Sequence, residues 1–332
     1  MDQFWQSRNV LVTGAAGFTG YNLAITLAGL GANVRAFVRD GGSAREFPDG
    51  IEVFTGDLTS ETDCLKACEG IDTVFHVAAV FRQVKGGREA MEAVHVHATE
   101  YLIRACKTHR CRRFVHTSTM GVHGHVKVGP GNEDSPFSPG DDYQDTKVEG
   151  ELRALELGKE LDVPVAVVRP CGIYGPGDTR FLKIVKPVLK GRFIMIGSGQ
   201  AHYHFVYIDD LVRGFLLAGE KDAAIGESFL IGGKESPTLN ELVSVVASIL
   251  GVAPPKLKIP VWPIYYLGWV CEILCKPFGI EPILHRRRVA FFTKNREFSV
   301  RKAGQLLGYK PEVDLKTGFT RMIDWHRDEK LI

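Results

Sequence analysis

The 332-residue chain has no CxxC pair, no even complement of cysteines and no apolar stretch long enough to cross a bilayer. Seven cysteines without that spacing do not make a disulfide framework. Cys64/Cys68 and Cys271/Cys275 stand four apart, a helical spacing that reads as packing before redox chemistry. A reducing, cytoplasmic setting is expected. The longest apolar run, Ile259 to Cys271, carries Pro260 and Pro263 and falls short of the roughly 20 residues a membrane span needs. The N-terminus is polar apart from Phe4 and Trp5, so no secretory signal is expected. A net charge of +2 gives no overall field to recruit nucleic acid. His95/His97, His123/His125 and His202/His204 lack a carboxylate or cysteine cluster beside them, so no metal site is expected.

What the chain does have, in its first half, is strands alternating with helices. Short β-branched runs at Val10–Val12, Val34–Val38, Ile51–Phe54, Thr73–Val77, Arg113–His116 and Val163–Val168 are separated by helical stretches at Thr62–Cys68, Ala90–His109 and Asp145–Leu161. That alternation predicts an α/β fold, a doubly wound parallel sheet covered on both faces. After Arg169 the pattern loosens, with isolated strands at Phe193–Ile196 and Phe229–Ile231 and a helix at Asn240–Leu250. The expected organisation is a dinucleotide-binding domain over 1–170, with part of 200–232 returning to it. A smaller, irregular substrate-binding domain would take most of 171–332.

The first strand runs directly into Thr13-Gly14-Ala15-Ala16-Gly17-Phe18-Thr19-Gly20 and then a helix. A diphosphate can approach a helix N-terminus closely only where the turn lacks side chains. Gly14, Gly17, Phe18, Thr19 and Gly20 are therefore candidate cofactor contacts. At the end of the second strand an acid would take ribose hydroxyls, whereas an arginine would accept a 2′-phosphate. Arg39 stands there and favours NADP over NAD, with Asp40 open as a ribose partner. Asp57 and Leu58 are placed to meet the adenine edge, and Ala78 and Ala79 leave room for the cofactor backbone.

Tyr143 and Lys147 are four apart, on one face of a helix. A phenol titrates near 10, and a neighbouring cation favours its phenolate. Tyr143 can then exchange the proton of a substrate alcohol while Lys147 tunes it and holds the nicotinamide ribose. The fifth strand ends in Thr117-Ser118-Thr119, hydroxyls suited to steady the substrate oxygen. Ser118 and Thr119 are the candidates.

With these motifs in place the sequence resembles the extended short-chain dehydrogenases/reductases over essentially its whole length. Thr13 to Gly20 matches the TGxxGxxG turn, His76-Val77-Ala78-Ala79 the (H/N)xAA segment, and Tyr143/Lys147 the YxxxK pair. Arg169 to Asp178 matches RPxxIYGPGD, and His204 to Asp210 the late FVYVDD strand. The resemblance implies Thr119 as third catalytic member, with Ser118 as the alternative, and cofactor contacts at Pro170, Gly172 and Ile173. It also implies a homodimer through the helices matching Ala90–His109 and Asp145–Leu161. One departure is His95, where the family's NVxGT match carries Asn.

Two branches are open. Nucleotide-sugar epimerases and dehydratases usually carry Asn at the position of Gly172 and Arg at that of Tyr203. Without both, a diphosphate loses contacts worth about 1.5–3 kcal/mol each, unless Arg286, Arg287 or Arg288 compensates. The stretch Ile259 to Leu274, rich in Trp and Tyr, points the same way; the later stretches Glu281–Val289, Phe298–Ala303 and Leu307–Pro311 resemble the 3β-hydroxysteroid/sterol dehydrogenase branch, and the Val-Arg ending of the second strand resembles the dihydroflavonol-reductase-like proteins. An apolar small-molecule substrate is expected, with Val80, Tyr203, Tyr207 and Trp262 as lining candidates. The same aromatics suit domain core, a dimer surface, or a lid in peripheral contact with a membrane. A non-catalytic dinucleotide-binding protein is a third reading.

Overall fold

Seven parallel strands form the central sheet of the computed structural model, which describes residues 2–39, 46–81, 86–275 and 286–332. In chain order the strands are β1 (Asn9–Thr13), β2 (Asn33–Val38), β3 (Ile51–Thr55), β4 (Thr73–His76), β5 (Arg113–Thr117), β6 (Val165–Pro170), β7 (Gly172–Tyr174), β8 (Met195–Ile196), β9 (Phe205–Tyr207), β10 (Ser228–Ile231) and β11 (Lys258–Ile259). The sheet runs β3-β2-β1-β4-β5-β6-β10, so its order reverses between β1 and β4. In such sheets ligands gather in the crevice at that reversal, beyond the strand C-termini.

Alternate side chains of each strand enter opposite cores. Val10 and Val12 of β1 pack with Leu23 and Leu27 of the helix Phe18–Gly29 and with Phe215 of the helix Ile208–Glu220. Leu11, Val74 and Phe114 point to the other face, against Leu102, Ile103 and Leu157 of the helices Ala98–His109 and Asp142–Leu161. The doubly wound α/β expectation is borne out. Among the later elements, β10 pairs with β6 and so completes the sheet, while β7 pairs with β9 and β8 with β11.

Two helices differ from their sequence expectation, and both differences bear on the site. The helix expected from Asp145 starts at Asp142, because the Asp141 carboxylate caps it by accepting the Gln144 N–H at 3.0 Å. This places Tyr143 in the first turn. The single helix expected over Ala90–His109 is three pieces, Gly87–Glu92, a π-helical turn at Ala93–His97, and Ala98–His109. The wide turn carries the buried His95, which bonds two other segments there.

Candidate active site

The turn after β1 is a cradle that only glycine fits. Gly14 has φ +65°, and a Cβ there would lie 2.7 Å from the Ala78 Cα. The helix that follows has Gly17 at its N-cap and no side-chain cap, so its first N–H groups face outward for an anion. Thr13 ties the two sides of the crevice together: its hydroxyl meets His76 Nδ1 at 2.8 Å and accepts the Ala78 N–H at 3.2 Å. Phe18 and Thr19 open the helix beside Gly20, whereas Ala79 is exposed and Val80 half-buried beyond β4. These residues fit a dinucleotide.

The adenosine end is less enclosed. Arg39 is exposed immediately after β2, and Asp40 lies outside the described residues. Asp57 is exposed and accepts the Thr59 N–H at 2.8 Å, while Leu58 packs on the second core.

Tyr143, Lys147 and Glu151 follow one another at four-residue intervals along the helix Asp142–Leu161. Lys147 is buried, and its Nζ donates to the Thr117 carbonyl at 2.5 Å. Burial pushes its pKa down to about 8, against the opposing pull of the Glu151 carboxylate. Glu151 is itself buried and would be driven up by desolvation. Arg169, bonding both its oxygens, reverses that and leaves it below the usual carboxylate range. Ser228 adds a hydroxyl at 2.8 Å, and Arg169 continues to His123 and the Glu133 carbonyl. A buried charged chain thus runs behind Lys147.

His95 links the loop after β4 to the Tyr143 helix. Its Nε2 accepts the Val80 N–H at 3.0 Å, so Nδ1 carries the proton and donates to Thr146 Oγ1 at 2.8 Å. Burial and the Lys147 charge drive its pKa down to about 2, so it stays neutral. The rings of His95 and Phe81 both make T-shaped contacts with the Tyr143 ring, with centroids at 5.5 and 5.0 Å. Phe81 was not among the residues expected from the sequence, although it stands two residues beyond the (H/N)xAA segment.

The two hydroxyl candidates differ. Ser118 is buried. Thr119 is half-buried and caps the short helix Met120–His123, accepting the Gly121 N–H at 3.1 Å.

On the substrate side, Gly172 and Tyr203 are packed together. A Cβ on Gly172 would lie 2.6 Å from Tyr203 Cε1 and 2.9 Å from Phe205 Cδ1. Tyr203 stacks on Phe205 at 4.7 Å and carries the Arg296 guanidinium over its ring at 5.3 Å. Pro170 is buried at the end of β6 and Ile173 half-buried in β7, its carbonyl accepting from Arg180 at 3.0 Å. Arg180, also passed over in the sequence, is clasped by the buried Asp178 and lies within charge range of Tyr203 and Tyr143. Tyr207 is buried against Tyr174 and under Arg321, away from solvent. Trp262 is 67% exposed on the helix Val261–Cys275. The structure therefore brings together Tyr143, Lys147, His95 and Phe81 at one place and Gly172, Tyr203 and Phe205 at another, while Tyr207 and Trp262 join neither.

Comparison with known proteins agrees with this architecture. Residues 10–232 match the model of the NAD dependent epimerase/dehydratase family. The chain belongs to that family. It is an NAD(P)-dependent dehydrogenase/reductase of the extended short-chain branch. A 3 beta-hydroxysteroid dehydrogenase/Delta 5-->4-isomerase of Mycobacterium tuberculosis is 33% identical, covering 96% of this chain and 90% of its own length. A 3-beta-hydroxysteroid dehydrogenase of Mycolicibacterium neoaurum is 31% identical, covering 96% and 91%. The solved UDP-glucuronic acid 4-epimerase of Bacillus cereus in complex with NAD superposes with a TM-score of 0.78 at 26% identity, over 97% of this chain and 99% of that one. Epimerase and steroid-dehydrogenase relatives thus share the scaffold, and the choice between them falls to the substrate side.

Proposed function

We propose that this family member oxidises or reduces an apolar, hydroxysteroid-like secondary alcohol or ketone, using NADP in preference to NAD. The observation that carries the reading is the contact of Tyr203 with Gly172. The space for an amide at 172 is filled by an aromatic ring, and the position of the arginine is held by that same ring. Both diphosphate contacts are replaced by apolar surface, which suits a ring substrate. The steroid-dehydrogenase relatives, at 33% and 31% identity, support the same choice.

In this reading Gly14, Gly17 and the first turn from Phe18 hold the diphosphate, and Arg39 takes a 2′-phosphate. The bound nicotinamide supplies hydride transfer. Tyr143 holds or receives the proton at its phenol oxygen, and the Lys147 ammonium, one turn along, favours the phenolate. Thr119, with Ser118 as the alternative, donates to the substrate oxygen. His95 and Phe81 hold the Tyr143 ring through their T-shaped contacts. Residues 171–332 supply most of the substrate-facing surface.

A second reading, transient oxidation within a nucleotide sugar, is supported by the Bacillus cereus epimerase and by the cation at Arg180. A thermal-shift panel of NAD, NADP, UDP-sugars and hydroxysteroids separates the two. Stabilisation by NADP and by a hydroxysteroid is expected; stabilisation by a UDP-sugar alone would overturn the proposal.

A further inference from the structure

Three of the seven cysteines meet beside the N-terminal ends of the strands, opposite the crevice. Cys68 closes the helix Glu61–Ala67, Cys106 lies in the last turn of the helix Ala98–His109, and Cys111 stands just before β5. All three belong to one buried core, and their thiols hydrogen-bond one another. The backbone fixes one of the pairs. Arg110 takes the left-handed conformation, φ +56°, and turns the chain back. The Cys111 N–H then donates to the Cys106 carbonyl at 2.9 Å, and the Arg110 N–H to the Lys107 carbonyl at 3.3 Å. A helix end closed in this way brings together the two side chains that its longer bond joins.

The three thiols are not equivalent. Cys68 and Cys106 are fully buried, whereas Cys111 keeps 6% exposure and lies between the exposed Arg110 and Arg112. Residues 104–113 hold Arg104, Lys107, Arg110, Arg112 and Arg113 and not one carboxylate. The Asp222 carboxylate faces this segment from another element and is paired with Arg112 and Arg113. Burial pushes the Cys106 thiol up, while hydrogen bonds from the Cys106 and Cys68 thiols bring Cys111 down, so Cys111 gives up its proton first. A thiolate-prone cysteine at the surface, backed by a protected thiol, is the arrangement that reacts reversibly with peroxide. Metal binding does not account for the cluster: no group of His, Cys, Asp and Glu among the described residues is arranged to hold an ion.

We propose that Cys111 is a peroxide-reactive site and Cys106 its resolving partner, the two closing to a reversible disulfide. The Cys111 thiolate attacks one oxygen of hydrogen peroxide, the O–O bond breaks, and hydroxide leaves to take up a proton as water. Cys111 is then a sulfenic acid. The Cys106 sulfur attacks it, the S–O bond breaks, and a second water leaves with the Cys106 proton. Two thiols are oxidised to one disulfide, and one peroxide is reduced to two waters. The buried partner intercepts the sulfenic acid before it reaches the irreversible acids. The bond would staple a turn that the backbone already closes. The inference is independent of the substrate reading, because Cys111 precedes β5 whereas Ser118 and Thr119 follow its other end, with the glycine turn likewise after β1.

The test treats the folded full chain with hydrogen peroxide and maps its peptides by mass. A Cys106–Cys111 disulfide that dithiothreitol reverses is expected, with the cofactor-induced thermal shift the same before and after. The variant Cys271→Ser/Cys275→Ser removes the two cysteines that are not buried and should form the same disulfide. In that background Cys111→Ser should slow thiol loss by about tenfold or more. Cys106→Ser should instead leave a Cys111 sulfenic acid that dimedone traps. Mapping of the unmodified protein keeps the test independent of whether any variant folds. Thiols at 106 and 111 that stay free until the chain is unfolded would overturn the proposal. So would a disulfide joining any other pair of the buried cysteines.

Discussion

The Tyr203 ring lies on Gly172, close enough that a Cβ at 172 would stand 2.6 Å from it. The two positions therefore behave as one unit. Gly172→Asn overpacks the contact and should destabilise the fold by about 1–3 kcal/mol, lowering the melting temperature by a few degrees, without creating UDP-sugar binding. Calorimetry with and without UDP-sugar checks both halves. The double variant Gly172→Asn/Tyr203→Arg should recover part of the lost stability, because the ring that clashes is gone.

In the proposed mechanism Lys147 sets an alkaline limit on activity. Its lowered pKa means that its proton is lost as pH rises through about 8, well below the range of an exposed lysine. The rate should fall across that limb. Lys147→Arg, which keeps its charge, should flatten the limb even at a lower maximal rate. Glu151→Gln removes the charge that holds the Lys147 proton on, so the limb should move to lower pH. It also strands Arg169, at a cost of about 3–5 kcal/mol. Rate profiles of the three proteins between pH 6 and 10 decide this.

His95 is predicted to act as a neutral bridge. Its acceptor and donor hold Val80 and Thr146, and its pKa near 2 excludes titration at working pH. His95→Ala leaves the Val80 N–H without its acceptor, a loss of about 1–3 kcal/mol. An asparagine offers both an acceptor and a donor. His95→Asn should therefore restore more of kcat than His95→Ala, and neither should move the pH profile between 5 and 7.

In the proposed reading Arg39 carries the preference for NADP. Arg39→Ala should raise the KM for NADP about tenfold or more and leave that for NAD nearly unchanged, since only one of them presents a phosphate there. Equal changes for both cofactors would mean that Arg39 does not meet the 2′-phosphate.

Much of the scaffold was legible because the signals are local. The β-branched strand cores and the glycine turn after β1 can be read directly, and the end of β2 fixes where Arg39 stands. The helix over Tyr143 was read as starting three residues late, although the Asp141 cap that starts it is visible in the sequence. The π-helical turn at Ala93–His97 was not legible: five residues of wider winding leave the apolar pattern of a long helix intact. His95 was marked as a departure from the family, but its partners at Val80 and Thr146 are 15 and 51 residues away. The absences at Gly172 and Tyr203 were each visible, whereas their contact depends on β7 pairing with β9. Periodicity also cannot tell an exposed apolar helix from a buried one, which left Val261–Cys275 open to several uses.

Net hydride transfer with an apolar alcohol is read from absorbance at the reduced-nicotinamide band. With NADP and a 3β-hydroxysteroid the wild type should accumulate NADPH steadily, and Tyr143→Phe should slow this by about 10²–10⁴-fold while still binding cofactor. Interconversion of a UDP-sugar by the wild type, with no net NADPH from any hydroxysteroid, would contradict it.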